Sequence, residues 1–234
     1  MELIKKTPEK IIFRIGLNES LANAIRRYVN QVPILAVDEL EIKKNDSPLY
    51  DETIAHRVGL MPLKTGKNKS ATFSLKSKKE GYVYSGEIEG SAKFVYDKIP
   101  LTYLNKGQEL EFTATASVGT GTEHSKFSPG IISYRNSIEV VADKKILDKI
   151  KNILPQKQIS EKGDKAIIKD NEEKEIADFV EGVCERENIQ CEEKTDGNLV
   201  VNIESFGQIS PEDIFSKSIE VLRSDLEDFK KQLK

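Results

Sequence analysis

The sequence is short of cysteine, histidine, methionine and tryptophan, with two, two, two and none of these among its 234 residues. Cys184 and Cys191 form neither a CxxC motif nor a four-thiolate set, which excludes a disulfide framework and a zinc or iron–sulfur site built from cysteine. No apolar run approaches the roughly 20 residues of a membrane-spanning helix, and the N-terminal residues alternate apolar and charged side chains, unlike a signal peptide. We therefore expect a soluble, cytoplasmic protein.

The sequence also lacks a strong excess of either positive or negative charge. The chain has 36 Lys and Arg against 39 Asp and Glu, for a formal net charge of −3, and the two signs are interspersed. Because no strong basic field attracts phosphates, tight direct binding of nucleic acid is not expected. The length is sufficient for one large domain or a few small ones, with a real buried core.

Hydrophobic periodicity predicts a mixture of strands and helices. Residues 9–17 and the segment ILAVDELEI read as strands, the second with a bulge or bend near Asp38–Glu39. Between them lies a helix for which Asn18 or Ser20 is the N-cap. Short β-like segments follow, and the clearest of these is ELEFTATASV. One face of that strand carries Leu110, Phe112, Ala114, Ala116 and Val118.

A weak internal repeat spans residues 144–201, where two units each read helix, short strand, Gly/Asp turn, short strand. Its matched apolar positions, about thirty residues apart, are Ile146 and Ile176, Ile150 and Val180, Ile153 and Val183, and Leu154 and Cys184. Such a pair of units predicts a small α+β module with pseudo-twofold symmetry.

The C-terminal segment carries the strongest helical pattern. Ser210 is a candidate N-cap, Pro211 suits the first helical position, and Asp213 complements the helix dipole. Apolar residues then recur at steps of four and three, at Phe215, Ile219, Leu222, Leu226, Phe229 and Leu233. We call this set the C-terminal stripe, and its spacing is typical of a helix–helix seam. It packs either on the first helix or on the helix of a partner, and its length favours a partner.

The segment YDETIAHRVGLMPLKT concentrates charged side chains within one predicted helix. These are Asp51, Glu52, His56 and Arg57. Glu52 and His56 are four apart and could face one metal ion, but a site needs a further ligand, and His124 is the only other histidine. Local ion pairs on a solvated face, each contributing on the order of tenths of a kcal/mol, are the alternative.

A glycine-containing loop, VGTGTEHSKFSPG, follows the ELEFTATASV strand, as a phosphate-binding loop would. The nucleotide hypothesis is weak, because His124 replaces the third glycine of GxGxxG and Pro129 interrupts the helix that would carry the anion-binding dipole. A tight loop that lets another backbone approach Gly119 and Gly121 is the alternative. No GxSxG elbow is present, and no catalytic residues are predicted.

The chain resembles the family of the D subunit of archaeal RNA polymerase, itself similar to the eukaryotic third-largest subunit and to the N-terminal domain of bacterial alpha. The resemblance spans nearly the whole chain and rests on four motifs in order: LANAIRRYVNQVPILAVDELEI, SPLYDETIAHRVGLMPLKT, GTGTEHSKFSPG and VNIESFGQISPEDI. It implies an α+β fold. A discontinuous dimerisation domain, residues 1–43 and 198–234, would hold an inserted mostly-β domain at 44–140 and a ferredoxin-like α+β module at 141–197.

The resemblance further implies a non-catalytic assembly scaffold of DNA-directed RNA polymerase, with nucleotidyl transfer in the two largest subunits. The chain would form a heterodimer with the small L subunit and dock the N and P subunits and the second-largest, beta-like subunit, meeting DNA only through the complex. The implied dimer interface is Leu21, Ile25, Tyr28, Phe215, Ile219, Leu222, Leu226, Phe229 and Leu233. The implied large-subunit and assembly-partner contacts are Arg26, Arg27, Asp51, Glu52, His56, Arg57, Gly121, His124 and Lys126.

In many archaeal relatives the ferredoxin-like module carries cysteines for iron–sulfur clusters. Here Cys184 matches one such position, whereas the first repeat unit has Ile, Leu and Lys, and a cluster needs about four thiolates. We expect the module to keep its fold with an apolar filling, no iron–sulfur cluster and no zinc. Two alternatives to the heterodimeric scaffold remain open: a homodimer like bacterial alpha, and a nucleotide-dependent enzyme that uses the loop at 119–126.

Overall fold

The computed structural model describes residues 1–66, 69–150, 159–169 and 175–233. Within these residues the chain forms twelve β-strands and five α-helices, arranged in two compact units. The first unit comprises residues 1–7, 11–22 and 133–202, and the second comprises 8–10, 23–132 and 203–234. The protein is therefore a mixed α/β fold dominated by strands. The three domain boundaries implied by the resemblance stay a prediction.

The first unit is built on a six-stranded sheet with the order β1-β2-β12-β9-β11-β10. Its strands are β1 Glu2–Lys6, β2 Lys10–Ile15, β9 Gly130–Asp143, β10 Ile159–Lys162, β11 Lys165–Lys169 and β12 Cys191–Ser205. The strand expected at 9–17 is confirmed as β2. Strand β1 was not predicted, because it is a short edge strand whose residues are mostly exposed and no apolar face marks it.

The repeat region packs two helices, α3 Leu147–Ile150 and α4 Glu175–Arg186, over one apolar core. Its members include the described repeat positions Ile146, Ile150, Ile176, Val180, Val183 and Cys184, all buried. Ile153 and Leu154 lie outside the described residues. The hairpin predicted for the second repeat unit is wrong, because β12 runs through it unbroken. Gly197 adopts a φ of 76°, and the Asn198 amide donates to the Asp196 carboxylate at 2.9 Å, so this turn signal makes a kink inside a strand.

The first helix, α1, spans Glu19–Tyr28. The Asn18 side chain accepts a hydrogen bond from the Ser20 amide at 2.8 Å, which identifies Asn18 as the cap. A 3-10 turn, Val29–Gln31, follows α1 and ends ahead of Pro33. The α-helix is thus shorter than the apolar pattern predicted. Val29 and Val32 are buried, but they belong to the 3-10 turn and its end and not to the α-helix.

The second unit contains a four-stranded sheet with the order β3-β8-β4-β6. These strands are β3 Ile34–Asn45, β4 Ser70–Ser77, β6 Glu89–Gly90 and β8 Leu110–Gly119. The pairing of β3 with β8 shifts register between Val37 and Glu39, which confirms the predicted bulge. Helix α2, Asp51–Gly59, buries Ile54 and Val58 in the core of this unit. Two further strands, β5 Gly81–Tyr84 and β7 Pro100–Leu104, pair separately.

The predicted apolar face of β8 is confirmed for its first four members and wrong for Val118. That side chain is 42 % exposed, whereas Gly119 is buried. Near this end of the sheet the opposite face becomes buried. Phe127 packs there with Val32, Ile34 and Ala36 in a small separate cluster. A Cβ on Gly119 would lie 2.7 Å from the Phe127 ring, so only glycine admits the ring at this position.

The C-terminal helix, α5, spans Pro211–Gln232. Its predicted cap is confirmed, since the Asp213 amide donates to Ser210 Oγ at 3.1 Å and Pro211 occupies the first turn. The buried residues of α5 are Pro211, Ile214 and Ser218. Among the described helices, none has the length and apolar character needed to cross a bilayer.

Candidate protein-interaction surfaces

Helix α5 uses one face for its own fold and leaves the neighbouring apolar face open. Ile214 and Ser218 are completely buried. At 100° per residue, the C-terminal stripe lies roughly 80° around the helix from that buried face. Its exposed fractions are 39 % for Ile219, 59 % for Leu226, 59 % for Phe229 and 71 % for Leu233, while Phe215 and Leu222 are half-buried. The second unit therefore does not cover the outer half of the stripe.

The open face of α5 forms a shallow groove of about 350 Å³. It is lined by Ile219, Leu222, Arg223, Leu226, Glu227 and Lys230. Along its rim, Arg223 Nε pairs with Glu227 Oε1 at 2.9 Å, one helical turn away. An apolar floor with a charged rim is the anatomy of a protein–protein interface.

The end of α1 is joined to the middle of α5. Tyr28 Oη donates to Asp225 Oδ2 at 3.0 Å, and this hydrogen bond is the main reason that the pKa of Tyr28 is raised. Leu21 is 45 % exposed, whereas Ile25 is 5 % exposed. The isolated chain thus covers Ile25 itself, and of the interface residues predicted on α1 only Leu21 and Tyr28 reach the surface.

Two segments that the sequence presented as separate surfaces line one groove of about 140 Å³. Helix α2 supplies His56, and the loop after β8 supplies His124 and Lys126. We call this the two-histidine groove. Its remaining lining residues are Val37, Asp38, Leu40, Ala55, Gly59 and Leu60. Gly121 lies outside this lining, in the same loop.

An ion pair holds the loop against the bulge of β3. Lys126 Nζ lies 2.6 Å from Asp38 Oδ1, and Ser117 Oγ donates to Asp38 Oδ2 at 2.9 Å. The hydrogen bond from Lys126, reinforced by Ser117, lowers the pKa of Asp38. The same ammonium group lies 5.0 Å from the centre of the Phe127 ring. The sequence pattern predicts the bulge at Asp38 but not its pairing with Lys126, because these two residues lie far apart in the chain.

The backbone amides of the loop at 119–126 are used internally. Thr120 donates to the Glu123 carboxylate at 2.8 Å, and Thr122 donates to the Asn30 carbonyl at 3.2 Å. A Cβ on Gly121 would fall 3.2 Å from Asn30 Cα, so this glycine permits a close approach of two backbones. Because these two amides already donate to acceptors of the chain itself, they are not available to a phosphate, and the geometry opposes the nucleotide hypothesis.

The charged residues of α2 hold the helix in place instead of pairing with one another. Asn45 Nδ2 donates to Asp51 Oδ1 at 2.7 Å, and Arg57 Nη1 donates to the Leu101 carbonyl at 2.9 Å. Glu52 and His56 are exposed. Throughout the residues that the structure describes, no three His, Cys, Asp or Glu side chains are grouped so as to hold a metal ion.

The cysteines do not fit the iron–sulfur cluster implied for many relatives. Cys184 is completely buried in the apolar core of the repeat region. Burial, with a smaller effect from the Cys191 thiol, raises the pKa of Cys184 to about 12, whereas a cluster ligand must be a thiolate. Cys191 is the only other cysteine in the sequence, so a four-thiolate set does not exist.

A match to part of the chain and matches along nearly its whole length relate it to the same kind of protein. A family model described as the RNA polymerase Rpb3/RpoA insert domain matches residues 39–140. The DNA-directed RNA polymerase subunit Rpo3 of Thermococcus kodakarensis is 30 % identical over 243 residues, covering 94 % of this chain and 92 % of that protein. The Rpo3 protein of Archaeoglobus fulgidus is 30 % identical over 256 residues, covering 99 % and 96 %. That of Pyrococcus horikoshii is 39 % identical over 162 residues, 62 % of each chain.

Proposed function

Because the chain belongs to the Rpo3 family of archaeal DNA-directed RNA polymerase subunits, we propose that it acts as a non-catalytic assembly scaffold of that enzyme. In this proposal α5 and α1 bind the small L subunit, and the resulting heterodimer recruits the N and P subunits and the second-largest subunit. Nucleotidyl transfer belongs to the two largest subunits. The dimerisation domain would be the discontinuous one predicted above, at 1–43 and 198–234.

The observation that carries the proposal is the exposed half of the C-terminal stripe. Leu226 and Phe229 are each 59 % exposed, although their spacing is that of a helix–helix seam. Full burial of a side chain of this size contributes about 1.5–3 kcal/mol of favourable free energy, and most of this contribution is absent while the stripe is exposed to water. A partner helix laid along the stripe would recover it, and the charged rim of the groove would fix the orientation of the partner.

The two-histidine groove supports a second docking site, for the second-largest subunit. Leu60, at 46 % exposed, supplies apolar area beside His56 and His124, and Tyr50 at the start of α2 is 81 % exposed. The Lys126–Asp38 pair keeps the loop in position, so little ordering is needed when a partner binds. Arg26 and Arg27 are exposed on α1 and are proposed to contact the same subunit.

Heterodimer formation is tested by co-expressing the chain with the L subunit of the same organism. Size-exclusion chromatography with light scattering should show a one-to-one complex. Leu226→Glu, which places a charge in the centre of the stripe, should abolish it. Ser224→Glu is the matched control, because Ser224 is exposed on the opposite side of α5 and should leave the complex intact.

Two outcomes would contradict the scaffold proposal. The first is a chain that stays monomeric in the presence of the L subunit. The second is a homodimer indifferent to the L subunit, which would support the alternative related to bacterial alpha. Docking of the second-largest subunit is tested separately, by a double-mutant cycle with His56→Ala and His124→Ala. If one groove binds one partner segment, the two losses in binding should be non-additive; strictly additive losses would show two independent contacts.

A further inference from the structure

The two cysteines of the chain lie next to each other in the repeat region. Cys184 belongs to α4, and Cys191 is the first residue of β12. Both are free thiols, and Cys191 packs against the apolar core that contains Cys184. Among 234 residues these are the only two cysteines, and the fold brings both to one place.

The end of α4 explains why the two thiols meet. The Ile189 amide donates to the Cys184 carbonyl at 2.9 Å, and the Asn188 amide donates to the Glu185 carbonyl at 3.2 Å. With a φ of 53° at Asn188, these bonds form a Schellman cap, which reverses the direction of the chain. Side chains alternate in the extended segment that follows, so Ile189 and Cys191 face the same side. Both pack on the core of the repeat region.

The two thiols are in contact but differ in exposure. The Cys191 thiol is a hydrogen-bond partner of the Cys184 thiol. Cys184 is completely buried, whereas Cys191 is half-buried and lines a cleft of about 850 Å³. Cys184 is not among the described residues that line this cleft. A small oxidant dissolved in water therefore reaches the sulfur of Cys191 first, and the sulfur of Cys184 lies directly behind it.

Adjacent thiols can hold a metal ion or join as a disulfide, and this pair favours the disulfide. A zinc ion needs further ligands, and the part of the chain that the structure describes offers no group of three His, Cys, Asp or Glu side chains for one. A metal ligand must also stay ionised, whereas burial raises the pKa of Cys184 to about 12. In a disulfide neither sulfur carries a charge, so burial does not oppose the product.

We propose that Cys184 and Cys191 are a redox modification site, at which a hydroperoxide such as hydrogen peroxide forms a reversible disulfide. The Cys191 thiolate attacks one peroxide oxygen and the O–O bond breaks. This leaves a sulfenic acid on Cys191 and a hydroxide, which takes up the proton lost by Cys191 and becomes water. The Cys184 sulfur then attacks the Cys191 sulfur and the S–O bond breaks. The departing hydroxide takes the Cys184 proton and becomes the second water.

In this reaction the two thiols lose two electrons and the peroxide gains them. A thiol such as glutathione returns both cysteines to the reduced form by thiol–disulfide exchange. The bond joins the end of α4 to the first residue of β12 and closes a short loop, which restricts the unfolded chain. The site lies wholly within the first unit, and the proposal does not depend on the assembly role.

The test is peptide mapping of the full-length chain after treatment with hydrogen peroxide. The reaction is quenched with acid, the remaining thiols are blocked with N-ethylmaleimide in denaturant, and the chain is digested without reductant. Trypsin cleaves after Arg186 and so separates the two cysteines, on the peptides EIADFVEGVCER and ENIQCEEK. We expect these two peptides to be linked, with a mass two hydrogens below their sum. Dithiothreitol should restore both separate peptides.

Two variants assign the roles of the two thiols. Cys184→Ala keeps the core apolar and removes the second thiol, so a sulfenic acid should persist on Cys191. Dimedone, which labels sulfenic acids, should then label this variant about fivefold or more above the unchanged chain. Cys191→Ser is the matched control and should take up no dimedone, because Cys184 is completely buried. Circular dichroism checks that both variants are folded.

A measurement on the unchanged chain keeps the test valid if Cys184→Ala fails to fold. In one glutathione redox buffer, the ratio of linked to reduced chain should be about tenfold or more higher for the folded chain than for the chain in urea, because contact raises the effective concentration of the two thiols.

Several results would overturn the proposal. One is the absence of linked peptides after peroxide treatment of the folded chain, and another is a ratio in glutathione buffer no higher than in urea. A third is that Cys191 ends as a mixed disulfide with glutathione, as a disulfide between two chains or as a sulfinic acid. Equal dimedone labelling of Cys184→Ala and the unchanged chain would show that Cys184 does not react with the sulfenic acid and would overturn it equally.

Discussion

The ammonium group of Lys126 and the carboxylate of Asp38 are 2.6 Å apart, and they join a loop to the bulge of β3. Only 14 % of the Lys126 side chain is exposed, compared with 45 % for Asp38. Ser117 binds the second carboxylate oxygen, so the acid is satisfied on both sides. This contact makes one groove out of His56 and His124, which belong to segments far apart in the sequence.

Replacement of Lys126 by Met should lower the free energy of unfolding by about 1 kcal/mol. The pair is partly shielded, and hydrogen bonds to charged groups contribute more than neutral ones. Urea denaturation measures the effect. Lys231→Met is the matched control, because Lys231 pairs with Asp228 at 2.8 Å but is 75 % exposed, and its loss should change stability by at most a few tenths of a kcal/mol. Equal losses in both variants would contradict the special role of Lys126.

The Asp38 contact should also weaken in acid. Since the pKa of Asp38 is lowered in the folded chain, its stabilisation is present above the pKa of an unfolded aspartate, about 3.9, and is lost as pH falls further, through the folded value. The difference in stability between the unchanged chain and Asp38→Asn should therefore be constant near neutral pH and shrink below about pH 4. Urea titrations across that range measure it. A difference that does not depend on pH would show that the charge of Asp38 is irrelevant.

Local signals explain what could be predicted from the sequence. The Ser210 cap, the bulge beside Asp38 and the strand at Lys10–Ile15 depend on residues within a few positions of each other. The exposed half of the C-terminal stripe was predicted for the same reason, because a helix of fixed period determines which side chains share a face.

Long-range packing explains what could not be predicted. Val118 is exposed because Phe127, from beyond the loop, covers the other face of the sheet. The Asp196–Gly197 turn signal lies inside one strand, because neighbouring strands hold β12 extended on both sides of it. The two-histidine groove likewise follows from tertiary contacts alone. No pattern in either segment indicated that His56 and His124 share one site.

The two faces of α5 should respond differently to truncation. Ile214→Ala removes a fully buried side chain and should lower the free energy of unfolding by about 2–4 kcal/mol. Leu226→Ala removes a side chain that is 59 % exposed and should change it by no more than about 0.5 kcal/mol in the isolated chain. Thermal and urea unfolding at low protein concentration measure both. A large loss for Leu226→Ala would mean that the stripe is covered by the chain itself and would weaken the scaffold proposal.

Two glycines form a matched pair with opposite expected effects. A Cβ on Gly130 would overlap the Glu204 carbonyl oxygen and lie 2.9 Å from Ile214 Cδ1, so Gly130→Ala should destabilise the chain by about 2 kcal/mol or more. Gly182 is exposed within α4, and a Cβ there would meet nothing within 4 Å. Gly182→Ala should therefore stabilise by about 0.5–1 kcal/mol, through helix propensity. Melting temperatures of the two variants should move in opposite directions; a shift in the same direction would contradict the packing described around Gly130.

Cys184 should resist alkylation as long as the chain is folded. Burial keeps the pKa of its thiol near 12, so the reactive thiolate is almost absent at about pH 8, and the apolar core blocks the reagent. Cys191 is half-buried and lines a cleft, so it should react first. Mass spectrometry after iodoacetamide treatment should show one label on the native chain and two in urea. Cys191→Ser is the control and should show none until unfolded. Rapid labelling of native Cys184 would mean that the apolar core of the repeat region is open in the folded chain.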